Sequence, residues 1–240
     1  MVEPDTPVLS RGAAFVVLAA AVVTWDALAP HLDAVSVWSA VAIVAAGILP
    51  ATMGLILVAL PLWSRRRIVA VALVVFAATA VATWEADAHL ASNFMKLAAY
   101  TCAGWVFLWL FEELSWVLLI ALIIPFVDAI SVAAGPTHTI VTHHIQVYSA
   151  VAVAFVAPGG GAAELGPPDV LFFALFLAAT VRWRLRPSWT WLAMTGMYSL
   201  TLVIANATDV SGLPALPFVS FGFLAANGDL LWRRLRPRRA

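Results

Sequence analysis

The sequence predicts an all-α integral membrane protein, a polytopic bundle of eight or nine transmembrane helices. Of its 240 residues, 63% are hydrophobic and only 11% are charged, whereas a soluble domain carries roughly 25% charged residues. The mean hydropathy is +0.98. Apolar runs of about 20 residues, the length that crosses a bilayer, recur along the chain. These observations exclude a soluble globular domain.

Eight apolar runs are predicted to form the helices. The runs are Gly12–Pro30, Ser36–Trp63, Ile68–Trp84, Phe94–Phe111, Leu114–Ala134, Pro168–Arg182, Trp189–Asn206 and Pro214–Trp232. The second run is long and contains Pro50, which predicts a kink or a strong tilt. The fourth and fifth runs are separated by Glu112 and Glu113, which predicts a turn there.

The arginine clusters predict the orientation of the chain. Arg11 precedes the first run, and clusters follow the second, sixth and eighth runs. With eight spans all of these arginines fall on one side, which the positive-inside rule makes the cytoplasm. Both termini are therefore expected in the cytoplasm and the loop 135–166 outside. The arginine-rich, lysine-poor and alanine-rich composition favours a prokaryotic plasma membrane.

Two carboxylates inside the predicted spans are candidates for chemistry. Asp128 lies 15 residues beyond Glu113, and Asp169 lies 13 residues before Arg182. At 1.5 Å per residue both lie ~20–22 Å above the cytoplasmic edge, although Asp26 reaches a similar depth. Two carboxyls in contact share a proton, which is the arrangement that an aspartic protease requires.

Three motifs in the second half of the chain resemble those of one protease family. The motifs are Phe126–Val127–Asp128, Gly166–Pro167–Pro168–Asp169 and Pro214–Ala215–Leu216. They look like the aromatic-Asp, GxGD and PAL motifs of the GxGD-type intramembrane aspartyl proteases, the presenilin and signal peptide peptidase group. The resemblance covers residues 114–232. The family usually has a tyrosine at position 127, a second glycine at position 168, and nine spans.

This resemblance implies a function and a division of the chain. Asp128 and Asp169 would be the catalytic pair, while Gly166, Pro214, Ala215 and Leu216 would border the substrate cleft. Residues 1–113 would form a four-helix region, and residues 114–240 would form the catalytic region. The implied substrate is a membrane-spanning peptide or a signal-peptide remnant within the lipid bilayer.

Other partners and two other functions complete the predictions. No nucleic acid partner is expected, because the chain lacks a broad basic stripe. No cofactor is expected, and His138, His143 and His144 are not predicted to bind a metal, because no cysteine lies near them. The alternatives to a protease are a catalytically inactive relative that binds membrane peptides, as Pro168 suggests, and a proton-coupled small-solute transporter that uses the same Asp pair. A short strand is predicted at 145–148.

Overall fold

The computed structural model describes residues 8–134, 145–208 and 213–235. Helices make up most of this part of the chain. They are α1 (Val8–Leu28), α2 (Val37–Ile43), α3 (Leu49–Ala59), α4 (Arg66–Glu85), α5 (His89–Leu108), α6 (Leu114–Ala134), α7 (Ile145–Val151), α8 (Pro167–Arg182), α9 (Pro187–Thr208) and α10 (Leu216–Leu235). The two strands are β1 (Val153–Val156) and β2 (Ala162–Leu165).

The prediction of a mostly helical chain is confirmed, and each predicted run is largely helical, while α7 lies outside the runs. Within the described ranges, four helical stretches are long and apolar enough to cross a membrane. They are Arg11–His31, Val37–Ser64, Arg66–Glu85 and Leu114–Val132. The predicted turn at Glu112 and Glu113 also lies between two helices, since α5 ends at Leu108 and α6 begins at Leu114.

The second run is interrupted where proline predicts a distortion. A π-helical turn, Val44–Ile48, joins α2 to α3, and Pro50 is the second residue of α3. Proline has no N–H for the carbonyl four residues earlier and its ring crowds that carbonyl. Widening of the preceding turn relieves the conflict.

α8 is the central helix of the molecule. The stretch 173–180 is fully buried, and α5, α9 and α10 all pack against this helix. Phe173 stacks on Tyr198 of α9 at 5.7 Å between ring centroids, and Phe176 stacks on Phe223 of α10 at 4.9 Å. A helix that is apolar on every face is buried on every face. The helix that carries Asp169 is thereby fixed by three neighbours.

A β-hairpin corrects the prediction of an all-α fold. β1 and β2 pair antiparallel, with Val153 opposite Leu165. Gly159 and Gly160 in the turn adopt φ of +83° and +84°, a region that glycine enters without steric cost. The predicted strand at 145–148 is wrong, because these residues begin α7. β-branched residues and aromatics favour strands only weakly when tertiary contacts compete.

Some predictions lie outside the described residues. These are the predictions for His138, His143 and His144, for residues 135–144 of the loop 135–166, and for the arginines beyond residue 235. Among the described residues, the two predicted regions pack on each other, since α5 contacts α8 and α3 contacts α9.

Candidate functional site

Asp128 binds the beginning of α10. It lies on α6, three residues after Pro125. Its Oδ2 accepts a hydrogen bond of 3.1 Å from the backbone N–H of Leu216, the first residue of α10. The first N–H groups of a helix have no partner within the helix, and the positive end of the helix dipole favours a carboxylate. Two of the three predicted motifs therefore meet at this contact.

Asp169 lies in the first turn of α8, as the sequence predicts. Pro167 and Pro168 occupy the first two positions, where a missing N–H costs no helical hydrogen bond. Asp169 follows, and its Oδ2 accepts a hydrogen bond of 2.9 Å from the backbone N–H of Gly166. A carboxylate that reaches back to the residue preceding its helix forms half of a capping box.

The two carboxyls lie close enough for their charges to interact. Both side chains are partly buried, and α6 contacts both α8 and α10. The structure thus brings Asp128, Asp169, Gly166 and Leu216 together. Ala215, which is buried, directly precedes α10. Asp128 thus binds the beginning of α10, and Asp169 binds the residue that precedes α8.

Tyr198 supports the backbone of Asp169. Its hydroxyl on α9 donates a hydrogen bond of 2.8 Å to the carbonyl oxygen of Asp169. The side chain is 1% exposed. Sequence reasoning did not select this residue. A tyrosine in an apolar helix could have pointed to it, because a buried hydroxyl requires a hydrogen-bond partner.

Tyr148 of α7 also reaches the site. A Cβ atom placed on Gly166 would lie 3.8 Å from the Tyr148 hydroxyl and 3.4 Å from Oδ2 of Asp169. Burial, followed by the charges of Asp169, Glu164 and Asp128, raises the pKa of the Tyr148 phenol. The phenol therefore stays protonated and can donate a hydrogen bond. No sequence pattern distinguishes this tyrosine, because its position depends on the turn from α7 into the hairpin.

Polar side chains of α1 and α5 hold the outer edge of β1. Asn93 donates to the carbonyl of Ala154 and accepts from its N–H, each at 2.8 Å. The indole N–H of Trp25 donates to the carbonyl of Val156, also at 2.8 Å. An amide side chain that binds both backbone groups of one residue takes the place of a neighbouring strand.

Two ionisable residues strengthen this attachment. Lys96, which is 6% exposed, donates to the carbonyl of Ser149 at 3.3 Å, and its Nζ lies 5.2 Å from the ring of Trp84. Asp26, which is 7% exposed, lies beside the Asn93 amide. Ionisable groups in an apolar helix are costly. Here Lys96 binds the segment that leads to Asp169 directly, whereas Asp26 faces Asn93, the residue that binds Ala154.

The register of the hairpin identifies the free edge of β2. Ala154 turns its N–H and carbonyl toward Asn93 and lies opposite Glu164. In an antiparallel pair, residues opposite each other direct their backbone groups the same way relative to the ladder, both inward or both outward. The N–H and carbonyl of Glu164 therefore lie on the edge of β2 away from β1, where no hydrogen bond from the described residues reaches them.

No protein-family model, curated protein or solved structure matches this chain. Within the described ranges, no group of three His, Cys, Asp or Glu side chains is arranged to hold a metal ion. The site is accordingly characterised by its geometry: two interacting carboxyls, two helix beginnings and an unpaired strand edge.

Proposed function

We propose that the chain is an intramembrane aspartyl endopeptidase that hydrolyses peptide bonds within membrane-spanning segments. The observation that supports this proposal best is the carboxyl pair of Asp128 and Asp169, each bound to a backbone N–H at the beginning of a helix. The contact from Asp128 to Leu216 supports a place in the presenilin and signal peptide peptidase family, because it joins two of that family's motifs.

The chemistry requires only the two carboxyls and water. One ionised carboxylate accepts a proton from water, and the water oxygen attacks the carbonyl carbon while the protonated carboxyl donates its proton to the carbonyl oxygen. The tetrahedral intermediate then loses the amine, which takes its proton from the first carboxyl. One hydroxyl of the intermediate returns a proton to the second carboxyl and becomes the new carbonyl. Both carboxyls end in their starting states.

The substrate is held as an extended strand against β2. A helical substrate cannot be cleaved directly, because its amides are hydrogen-bonded within the helix. The free backbone groups of Glu164 lie two residues before Gly166 and five before Asp169. Strand addition at such an edge supplies main-chain hydrogen bonds to a peptide of any sequence. In this proposal Gly166, Pro214, Ala215 and Leu216 border the substrate cleft, as the family resemblance implies.

The proposal includes the finer membrane topology. All eight predicted runs cross the bilayer, with both termini in the cytoplasm of a prokaryote and the loop 135–166 outside. α8 has 16 residues and is therefore about 24 Å long, shorter than a hydrocarbon core of about 30 Å. This length supports a carboxyl pair that lies below the outer surface of the membrane. Substrates then have their N-terminus inside, as signal-peptide remnants do.

A cleavage assay tests this function. The full chain, purified in bilayers, is given a panel of single-span peptides, and the products are identified by mass spectrometry. A parallel reaction contains a peptide analogue with a hydroxyl group in place of the scissile carbonyl, which imitates the tetrahedral intermediate. We expect cleavage inside the apolar segment of a peptide, and we expect the analogue to block it.

The two other functions give different results in the same experiment. An inactive relative would bind the peptides without cleaving them, and Pro168→Gly would then be needed for any product to form. A proton-coupled transporter would move protons across the bilayer with a solute and would not respond to the analogue. Either result would replace the proposal.

A further inference from the structure

Two arginines from different helices meet at the C-terminal end of α5. Arg182, the last residue of α8, donates a hydrogen bond of 2.8 Å from Nη1 to the carbonyl of Leu108. Arg66, the first residue of α4, lies over the ring of Trp109, with Cζ 5.6 Å from the ring centroid. Leu108 and Trp109 are neighbours in sequence, so the two guanidinium groups lie near each other. Their positive charges therefore repel.

No carboxylate in the described ranges neutralises this pair. Glu112 attracts Arg182, but neither guanidinium has a carboxylate within ion-pair distance. Arg186 provides the contrast, since it makes a two-pronged ion pair with Asp229 at 2.8 Å. Arg66 and Arg182 can therefore bind an anion, whereas the charge of Arg186 is already balanced by Asp229.

More positive charge surrounds the pair. Arg65 and Arg67 flank Arg66 in sequence, and all three are exposed. They occupy the beginning of α4, where the positive end of the helix dipole lies. The site therefore attracts a compact anion.

Aromatic and apolar side chains set the environment of the pair. Arg182 lies over the ring of Trp183 at 4.7 Å, and tryptophan is enriched where a membrane meets water. Ile68 and Leu110, close in sequence to Arg66 and to Trp109, are 56% and 71% exposed. A ligand with a phosphate group and acyl chains matches both parts of this surface.

We propose that Arg66 and Arg182 bind the phosphate of an anionic phospholipid headgroup, whose acyl chains lie along the exposed apolar residues beside them. A guanidinium presents parallel N–H groups that fit phosphate oxygens, and basic pockets between transmembrane helices bind such headgroups. A phosphate between the two cations offsets their repulsion. It also fastens α4 to α8 at the end opposite Asp169, independently of any protease activity.

The test measures lipid binding by native mass spectrometry of the full chain, purified in detergent and stripped of lipid. Phosphatidylglycerol is the anionic probe and phosphatidylcholine the zwitterionic one. We expect the native chain to retain phosphatidylglycerol selectively. We expect Arg66→Gln to bind it about tenfold more weakly, because this variant loses a charge-assisted hydrogen bond. Arg66→Lys keeps the charge and is expected to lie between the two.

Arg186→Gln is the matched control, because it removes an arginine whose charge Asp229 already balances. It is expected to bind phosphatidylglycerol like the native chain. Arg66 is exposed, so its replacement leaves the packed core intact, and the melting temperature without lipid checks this. Equal binding by the native chain and Arg66→Gln, equal binding of both lipids, or displacement by inorganic phosphate at matched concentration would overturn the lipid site.

Discussion

Among the described residues, Asp128 and Asp169 each accept one hydrogen bond, from a backbone N–H in both cases. The donors are Leu216 for the first and Gly166 for the second. Each uses Oδ2, and under the proposed function Oδ1 of each carboxyl faces the water or the substrate carbonyl. Pro168 is compatible with this arrangement, since its position in the first turn requires no N–H.

At the residue scale, Tyr198→Phe tests the support behind Asp169. The change removes the hydroxyl that donates to the Asp169 carbonyl and keeps the ring that stacks on Phe173. Hydrogen bonds between membrane helices contribute about 0.6 kcal/mol on average and up to about 1.7. We expect the free energy of unfolding in detergent to decrease by an amount within that range. An unchanged unfolding transition would show that the hydroxyl does not support the site.

Sequence reasoning identified the carboxyls but not the tyrosines around them. Asp128 and Asp169 stand out because a carboxylate in an apolar helix requires an explanation, and their motif order predicted the meeting with Leu216. Tyr148 and Tyr198 belong to a residue type that is common in membrane proteins. Their roles depend on how α7 and α9 pack, which spacing along the chain does not encode.

At the element scale, the hairpin is held to the helices by side chains rather than by a third strand. Apolar and polar residues do not alternate regularly between Ala150 and Gly166, so the two strands could not be predicted. Its stability comes from Asn93 and Trp25, residues that lie far away in sequence. Gly159 and Gly160 form the turn, where both adopt a positive φ.

Asn93→Ala tests this attachment. The variant leaves the N–H and carbonyl of Ala154 without their partner, and an unpaired buried backbone group costs about 1–3 kcal/mol. We expect faster hydrogen exchange across residues 152–166, measured by mass spectrometry. Asn206→Ala makes the same change on α9, where no hydrogen bond joins Asn206 to the hairpin among the described residues, and should leave that exchange unaltered. Equal exchange in both variants would contradict the attachment.

The crossing of α5 and α8 depends on a glycine. A Cβ on Gly104 would collide with the carbonyl oxygen of Leu171 and lie 3.1 Å from Cβ of Ala174. Overpacking of this kind costs about 1–3 kcal/mol, and we expect Gly104→Ala to lower the melting temperature. Gly196→Ala is the control, because a Cβ there meets nothing within 4 Å. Its helix should gain up to about 1 kcal/mol. A native melting temperature for Gly104→Ala would contradict the close crossing.

At the scale of the whole molecule, polar contacts hold both ends of the central helix, and apolar packing holds the stretch between them. Asp169 begins α8 beside the hairpin, and Arg182 ends it beside Leu108. The mostly helical class was predictable from composition, because apolar runs of membrane length have few other structures open to them. The central place of α8 was not predictable, since its run is neither the longest nor the most apolar of the eight.

The proposed topology can be measured with single cysteines. Cys102 is buried, and Cys102→Ser provides a background without thiols. Glu85→Cys and Ser188→Cys introduce thiols at exposed positions on opposite sides of the proposed membrane. We expect a membrane-impermeant thiol reagent to label intact cells at position 85 only. Labelling at both positions or only at 188 would contradict the orientation.

The most direct test of the central claim compares three carboxylates in the peptide cleavage assay. We expect Asp128→Asn and Asp169→Asn each to lower cleavage at least about 100-fold, because each removes a group that must transfer a proton. Asp229→Asn changes a carboxylate that is paired with Arg186, away from the proposed site, and should cleave like the native chain. Native cleavage by either Asp128→Asn or Asp169→Asn would contradict the claim that these two carboxyls act together in catalysis.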